Sequence, residues 1–317
     1  MTYLDYINTT YPIRRTKEEK KSFQNFVLEK FPQAKTETTA DGKNENIVIG
    51  DPLTAKVVCT AHYDTPMHSL FPNIMIPRNK AVFLLYQFLP VTISLILSLT
   101  PAFVINSFYP LSREQMCLIF LVLYYGLYFL MFRARKNPNN HNDNTSGVSL
   151  VLTLAEKLPA NQAENVAFIL FDNEEKGKKG SKAYVKDHKE TMEEKFLLNF
   201  DCVANGDNIL FAYMEKAESS EEYALLQKVF ATEETEKEGF YTHFYPIKAT
   251  DSNSDHKSFP KGIGCMAYKK SKKGLLYTPY IHTPKDVVAK NENIEFLAAR
   301  MQEFLCKAVK KPEGSKL

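Results

Sequence analysis

The sequence is short of cysteine. Its five, Cys59, Cys117, Cys202, Cys265 and Cys306, stand far apart and form no C-x-x-C pair. That excludes a disulfide framework and a thiolate zinc site, and it fits a reducing compartment. The chain also lacks an excess of either charge: 40 Lys and Arg face 37 Asp and Glu, for a formal net charge of +3. A nucleic-acid partner would call for a basic stripe or patch, so none is expected. There is no internal repeat and no low-complexity tract, which removes solenoids and compositionally disordered chains. The first 21 residues hold no apolar h-region, so no signal peptide is expected. What is present, 44% hydrophobic and 24% charged residues, describes a folded globular chain.

One stretch lacks charge almost entirely. Residues 81–132 contain two charged side chains, Arg113 and Glu114, where the chain-wide rate gives about twelve or thirteen. The mean hydropathy of −0.30 hides this greasy insert inside a hydrophilic chain. Residues 81–109 and 115–132 carry no charge. A bilayer core of about 30 Å needs roughly 20 apolar residues as helix, so the two segments and the turn 110–114 read as a transmembrane hairpin. Pro90 and Pro101 can kink the first helix or trim its ends. A buried hairpin, such as a dimer interface, is the other reading, but runs this long and charge-free suit the membrane better.

Arg78 and Lys80 precede the insert, Arg133, Arg135 and Lys136 follow it, and the turn holds a single Arg. The positive-inside rule then puts both ends of the hairpin, and the hydrophilic chain, in the cytoplasm. The expectation is a multi-pass protein of the cell membrane with the lipid bilayer as a partner. Residues 1–80 and 133–317 together form one domain, and 81–132 are inserted into it. A hairpin rich in Leu, Phe and Tyr is also one route to a homo-oligomer.

Outside the insert, periodicity predicts an α/β chain. Residues 16–31 read as an amphipathic helix capped by Thr16, with Phe23, Phe26, Val27 and Phe31 in the core. Short apolar runs at 55–61, 166–171 and 196–200 read as buried strands. Helical patterns cover 146–157, 181–195 and 293–309. Strands alternating with helices argue for a sheet with helices on both faces. Each apolar run ends in residues that can hold a metal: His62-Tyr63-Asp64, Asp172-Asn173-Glu174-Glu175, and Asp201. In open α/β sheets, ligands bind outside the carboxyl ends of the strands.

Asp143 in the run Asp143-Asn144-Thr145-Ser146-Gly147 and His282 in Tyr280-Ile281-His282-Thr283-Pro284-Lys285-Asp286 add a carboxylate and a second imidazole. Glu174 and Glu175 diverge, so one can ligate while the other faces a bound water. Imidazole with carboxylate favours zinc over calcium or magnesium. Two such ions can share a bridging carboxylate, polarise a carbonyl and activate water, and a carboxylate beside that water serves as general base. Ordinary surface acids and structural histidines are the bland alternative.

The ordered set His62-x-Asp64, Asp143-Asn144-x-Ser146-Gly147, Glu174-Glu175, Asp201 and His282-x-x-x-Asp286 resembles the zinc aminopeptidases of peptidase family 28. Gly177, Gly180 and Ser181 match that family's G-x-x-G-S stretch, and Ser254-Asp255-His256 with Phe259 its S-D-H-x-x-F motif. The resemblance spans about residues 10–310 without the insert. It implies a mixed, mainly parallel β-sheet sandwiched by helices, two Zn2+ ions and a peptide substrate. It implies that His62 and Asp201 hold one zinc, that Glu175 and His282 hold the other, and that Asp143 bridges them. Glu174 would be the general base, Asp64 would orient His62, and Asp286 would do the same for His282. Glutaminyl cyclisation and a non-catalytic scaffold are the alternatives on this fold.

Near the substrate, His141 and Asp286 are candidates, and Tyr280 can donate a hydrogen bond to the tetrahedral intermediate. His68 also lies close to the site in sequence. His256 reads as structural, His188 and His243 as surface residues, and Cys202 as a small buried hydrophobe. The sequence departs from the family in one respect: 81 residues separate His62 from Asp143, because the insert lies between them. Such an insert would hold the active-site face close to the bilayer, with substrates arriving from the membrane surface.

Overall fold

The apolar runs fold into neighbouring strands buried along their whole length. Such strands have no face to offer water and need cover on both sides. The computed structural model describes residues 1–69, 73–132 and 135–309; Arg133, one of the flanking charges, lies outside them. Helices α1 (Tyr3–Thr10) and α2 (Lys17–Lys30) precede strands β1 (Ala34–Thr38), β2 (Glu45–Ile49), β3 (Val57–His62) and β4 (Asn73–Met75). The long helices α3 (Lys80–Phe108) and α4 (Arg113–Phe132) come next, followed by α5 (Gly147–Lys157), β5 (Val166–Phe171), α6 (Lys179–Asp187), α7 (Lys189–Met192) and β6 (Phe196–Phe200). The chain continues through β7 (Asn208–Tyr213), the short α8 (Glu215–Glu218), α9 (Glu221–Val229) and α10 (Thr232–Thr235). It closes with β8 (Tyr241–Pro246), β9 (Gly262–Lys270), β10 (Leu276–Ile281) and α11 (Asn291–Ala308).

The strands form one ten-stranded sheet in the order β1-β2-β5-β3-β6-β9-β10-β4, with β7 on β9 and β8 on β7. The central strands β5, β3, β6 and β9 are parallel. Antiparallel strands extend the sheet on both sides. Alternation along the strands feeds two cores. Val57, Cys59, Ala61, Phe168 and Leu170 pack with residues of α2, α5, α9 and α11 on one face. Val58, Ile169, Phe171 and Leu197 meet Tyr184 and Met192 on the other. The expected mixed, mainly parallel sheet between helices is what forms.

Local signals account for most boundaries. Thr16 and Glu19 form a reciprocal capping box at the start of α2, whose Phe23 and Val27 are fully buried. The helix expected over 181–195 breaks at His188 into α6 and α7. The His188 ring packs on Tyr184 and its Nε2 lies 2.5 Å from Glu37, which draws the residue out of helical geometry at φ −120°. His188 is therefore partly buried rather than a free surface residue, and so is His243, whose Nε2 lies 3.0 Å from Asn208.

The insert forms two helices long and apolar enough to cross a membrane, with mean hydropathy 2.1 over Lys80–Phe108 and 1.2 over Arg113–Leu130. They pack against each other, and most of their large apolar side chains face outward.

Candidate active site

Most predicted site residues sit at or just beyond the carboxyl end of a strand, or in a turn stitched to one. His62 is the last residue of β3 and is 1% exposed. Asp201 follows β6, and its backbone N–H donates to Cys265 of β9. Glu174 and Glu175 open the turn after β5, and His282 follows β10. The backbone turns sharply at these places. Asn173, Lys178, Cys202, Tyr280 and His282 all have positive φ, an uncommon and costly conformation for residues with a side chain.

Asp143 lies in the irregular turn His141–Ser146, which leads into α5. The Asp-Asn-x-Ser-Gly run explains how that turn is held. Asn144 Nδ2 donates to the Phe200 carbonyl at 2.9 Å, while its Oδ1 accepts from the N–H groups of Gly147 and Cys202. Ser146 Oγ accepts from Val203 N–H at 3.0 Å. A side chain at Gly147 would stand 2.2 Å from the Phe200 carbonyl, so only glycine lets α5 approach β6 this closely. The motif thus clamps the Asp143 turn against the Asp201 turn.

The result is a cluster in which one carboxylate lies between two imidazoles. Asp143 Oδ1 is 3.4 Å from His62 Nε2, and Asp143 Oδ2 is 3.0 Å from His282 Nε2. His62 Nε2 is also 3.8 Å from Asp201 Oδ1, and His282 Nε2 is 3.3 Å from Glu175 Oε2. The sets His62–Asp143–Asp201 and Asp143–Glu175–His282 each bring their ligand atoms within 4.8 Å of one another, and Glu174 with Glu175 and His62 makes a third.

Burial and crowding set the charges. Desolvation opposes protonation of His62, but Asp143, Asp201 and Asp64 outweigh it and hold its pKa well above the ordinary value. Desolvation is likewise outweighed at His282, where Glu175 and Asp143 favour the cation. Burial pushes the Asp143 carboxyl up, but the two imidazoles overcome it and bring it below the usual carboxylate range. Burial raises Glu174 well above that range and raises Glu175 as well.

These residues fit a zinc-type metal. Their imidazole nitrogens and carboxylate oxygens are zinc donors. Glu175 Oε1 is buried without a hydrogen-bond partner among the described residues, a cost that a cation would relieve. His62 Nδ1 lies 3.1 Å from the backbone carbonyl of Asp64, an arrangement that turns Nε2 toward the carboxylates.

The structure gives several residues partners that the sequence did not suggest. The Asp64 carboxylate accepts from the N–H groups of Glu174 at 2.9 Å and Glu175 at 3.3 Å, so it positions the Glu pair as well as standing 3.6 Å from His62 Nδ1. The Asp286 carboxylate accepts from the N–H groups of Asn142 and Asp143 and so supports the Asp143 turn rather than His282. Burial, with the nearby Asp143 charge, brings its pKa up to about 7.

A cavity of roughly 300 Å³ opens at the cluster and is lined by Asp143, Glu174, Glu175, Asp201 and His282, among others. His141 and Tyr280 are not among the described residues of its wall. His141 is held toward the backbone of Val287, and Tyr280 is 40% exposed with the Lys285 ammonium over its ring. His68 is tied by its backbone N–H to Arg135. Cys202 is buried beside Asp201, as expected of a small hydrophobe.

Sequence reasoning passed over Arg14. Its fully buried guanidinium donates to the carbonyls of Tyr63 and Tyr11 and to Thr145 Oγ1, joining the His62 and Asp143 segments. No motif surrounds it, so only the fold reveals it.

Comparison with known proteins agrees with this architecture. No curated protein matches the sequence. Among solved structures, the fold is similar to the LapA aminopeptidase of Legionella pneumophila, at 15% identity and TM-score 0.55, over 98% of this chain and 70% of that one. It is similar to the glutaminyl cyclase of Porphyromonas gingivalis, at 14% identity and TM-score 0.59, over 97% and 98% of the two chains. The Tannerella forsythia glutaminyl cyclase gives 14% identity and TM-score 0.57, over 98% and 97%. At such identities these likenesses concern the fold. The family model described as peptidase family M28 matches residues 137–305, a stretch that takes in Asp143, Glu174, Glu175, Asp201 and His282. With more than half of its length matched, the chain belongs to peptidase family M28.

Proposed function

We propose that the chain is a membrane-anchored aminopeptidase that removes the N-terminal residue of peptides with the help of two zinc ions. The observation that carries this reading is the single carboxylate of Asp143 held between the imidazoles of His62 and His282. In this reading His62 and Asp201 would hold one ion and Glu175 and His282 the other, with the Asp143 carboxylate shared between the two sets. When bound, zinc supplies Lewis acidity and lowers the pKa of water toward neutrality.

The chain's own groups do the rest. Glu174, buried beside the cluster, takes a proton from the attacking water on its carboxylate and passes it to the leaving amine nitrogen. Asp64 holds the backbone of that glutamate in place. The cavity is at the small end of the range for ligand sites, which suits the end of a chain better than its middle.

The anchor in this reading is the hairpin 81–132, inserted in a peptidase domain made of 1–80 and 133–317. Leu85, Phe88, Phe103, Leu118, Val122 and Phe129 are each more than 60% exposed, which suits lipid better than water. Both ends of the hairpin return to one side, and the basic Arg78, Lys80, Arg135 and Lys136 there support a multi-pass protein whose hydrophilic part lies in the cytoplasm. The outer faces of the hairpin offer a route to a homo-oligomer.

The test uses detergent-purified full-length protein, a mixed peptide library and mass spectrometry, with and without added zinc. Stepwise loss of N-terminal residues is expected, slowed on the order of 10²–10⁴-fold in Glu174→Gln. No trimming by protein carrying two ions per chain overturns the reading. Ring closure of N-terminal Gln with loss of ammonia would instead favour a cyclase.

A further inference from the structure

We infer that the inserted segment is part of the substrate pocket as well as an anchor, with Met75 and Phe83 forming a wall that selects an apolar first residue. The inference rests on the peptidase reading above and goes beyond it to the substrate class.

The chain enters the insert along the strand that leads to a site histidine. β4 pairs antiparallel with β10, Met75 opposite Thr278 and Asn73 opposite Ile281, the residue before His282. Met75 packs on the buried group that includes Cys202, Met266 and Ile281. The link to α3 is then fixed three times. The Asp251 N–H donates to the Pro77 carbonyl at 2.8 Å. The Arg78 guanidinium lies 3.8 Å from the centre of the Tyr245 ring. Asn79 Oδ1 accepts from Val82 N–H at 3.1 Å and caps the helix. These contacts set the direction of the first turn of α3, and they bring Phe83 to the wall of the cavity that holds Glu174, Glu175 and His282.

The wall so built is apolar. Met75, Phe83, Met266 and Ile281 line it, while the polar Lys178 Nζ is already engaged by Asn253 Oδ1 at 2.8 Å. Two methionines and a phenylalanine adapt to aliphatic or aromatic side chains, and Asp251, which lines the same cavity with Asn253 and Ser254, repels an acidic one. The favoured substrate is a peptide whose first side chain is large and apolar. Phe83 belongs to the first turns of α3, so the helix that opens the hairpin also supplies part of the wall.

The test compares kcat/KM for Leu-, Phe-, Ala- and Glu-coumarin amides across full-length wild type, Phe83→Ala and Met75→Ala. Phe103→Ala, at an outward-facing site farther along the hairpin, is the control. One methylene in an apolar pocket changes discrimination roughly 10–200-fold, so the Leu-to-Ala ratio is expected to fall at least about tenfold in Phe83→Ala and to stay put in Phe103→Ala. An unchanged ratio in both pocket variants overturns the inference. A second measurement needs no turnover: Glu174→Gln protein is irradiated with a peptide that begins with a diazirine analogue of leucine. Crosslinks on Met75 or Phe83 are expected, and crosslinks found only elsewhere overturn the wall. If wild type cleaves none of the amides, the peptidase reading fails, and the crosslinking then decides the wall alone.

Discussion

Asp286 stands one hydrogen bond behind Asp143, and its two oxygens hold the backbone of Asn142 and Asp143. An amide there keeps one acceptor and turns an NH2 toward the other N–H. Asp286→Asn is therefore expected to loosen zinc about 10–100-fold, the usual cost of disturbing the groups behind metal ligands, as read by chelator competition. Unchanged affinity would return Asp286 to a purely structural part. His256 carries a different signature. Its ring is fully buried, neither nitrogen has a hydrogen-bond partner among the described residues, and burial brings its pKa down to about 3. The unfolded chain binds this proton below about pH 6.5, and the folded one refuses it until about 3. Stability from this residue is thus complete above pH 6.5 and drains away as the pH falls, by at most about 1.4 kcal/mol per pH unit. His256→Gln should flatten the fall in urea stability between pH 7 and 5, whatever its offset; an identical slope would refute the assignment. The two histidines and four carboxylates of the cluster were legible because each ends an apolar run or sits in a motif. The double duty of Asp64 and the true partners of Asp286 were not, since both are backbone contacts more than 100 residues away.

At the scale of elements, the hairpin shows how small residues govern packing. The buried residues of α3 are Ser94, Ser98 and Ala102, one turn apart, on a helix that packs against α4. Small side chains let two apolar helices approach where lipid gives no hydrophobic drive. Ser98→Leu overfills that face at a cost of about 1–3 kcal/mol, so the detergent-solubilised protein should melt several degrees lower by circular dichroism, with Ser98→Ala nearly neutral. Equal melting of the two variants would mean the helices do not pack there. Strands and helices with strong periodicity, such as β3, β5, β6, α2 and α11, could be read to within a few residues because burial itself writes the pattern. Strands β7 to β10 gave no such signal. Their partners are set by distant chain, and β4 has three residues with no run long enough to declare itself.

At the scale of the whole molecule, the position of the insert matters more than its presence. It leaves the domain between His62 and Asp143, and its base runs beside the strand that ends at His282. A hairpin placed on a remote loop would only tether the domain, whereas this one, in the proposed membrane-anchored reading, would set which face of the domain meets the bilayer. With the basic flanks in the cytoplasm, a single trypsin site, Arg113, lies on the far side, at the first residue of α4. In right-side-out vesicles, external trypsin should cut at Arg113 and leave every lysine of the peptidase domain untouched until the vesicles are opened. Carbonate washing at high pH should leave the protein with the membrane fraction. Digestion of the domain in sealed vesicles would reverse the orientation. Release by carbonate would remove the bilayer altogether and recast the outward apolar faces of α3 and α4 as a surface covered by protein.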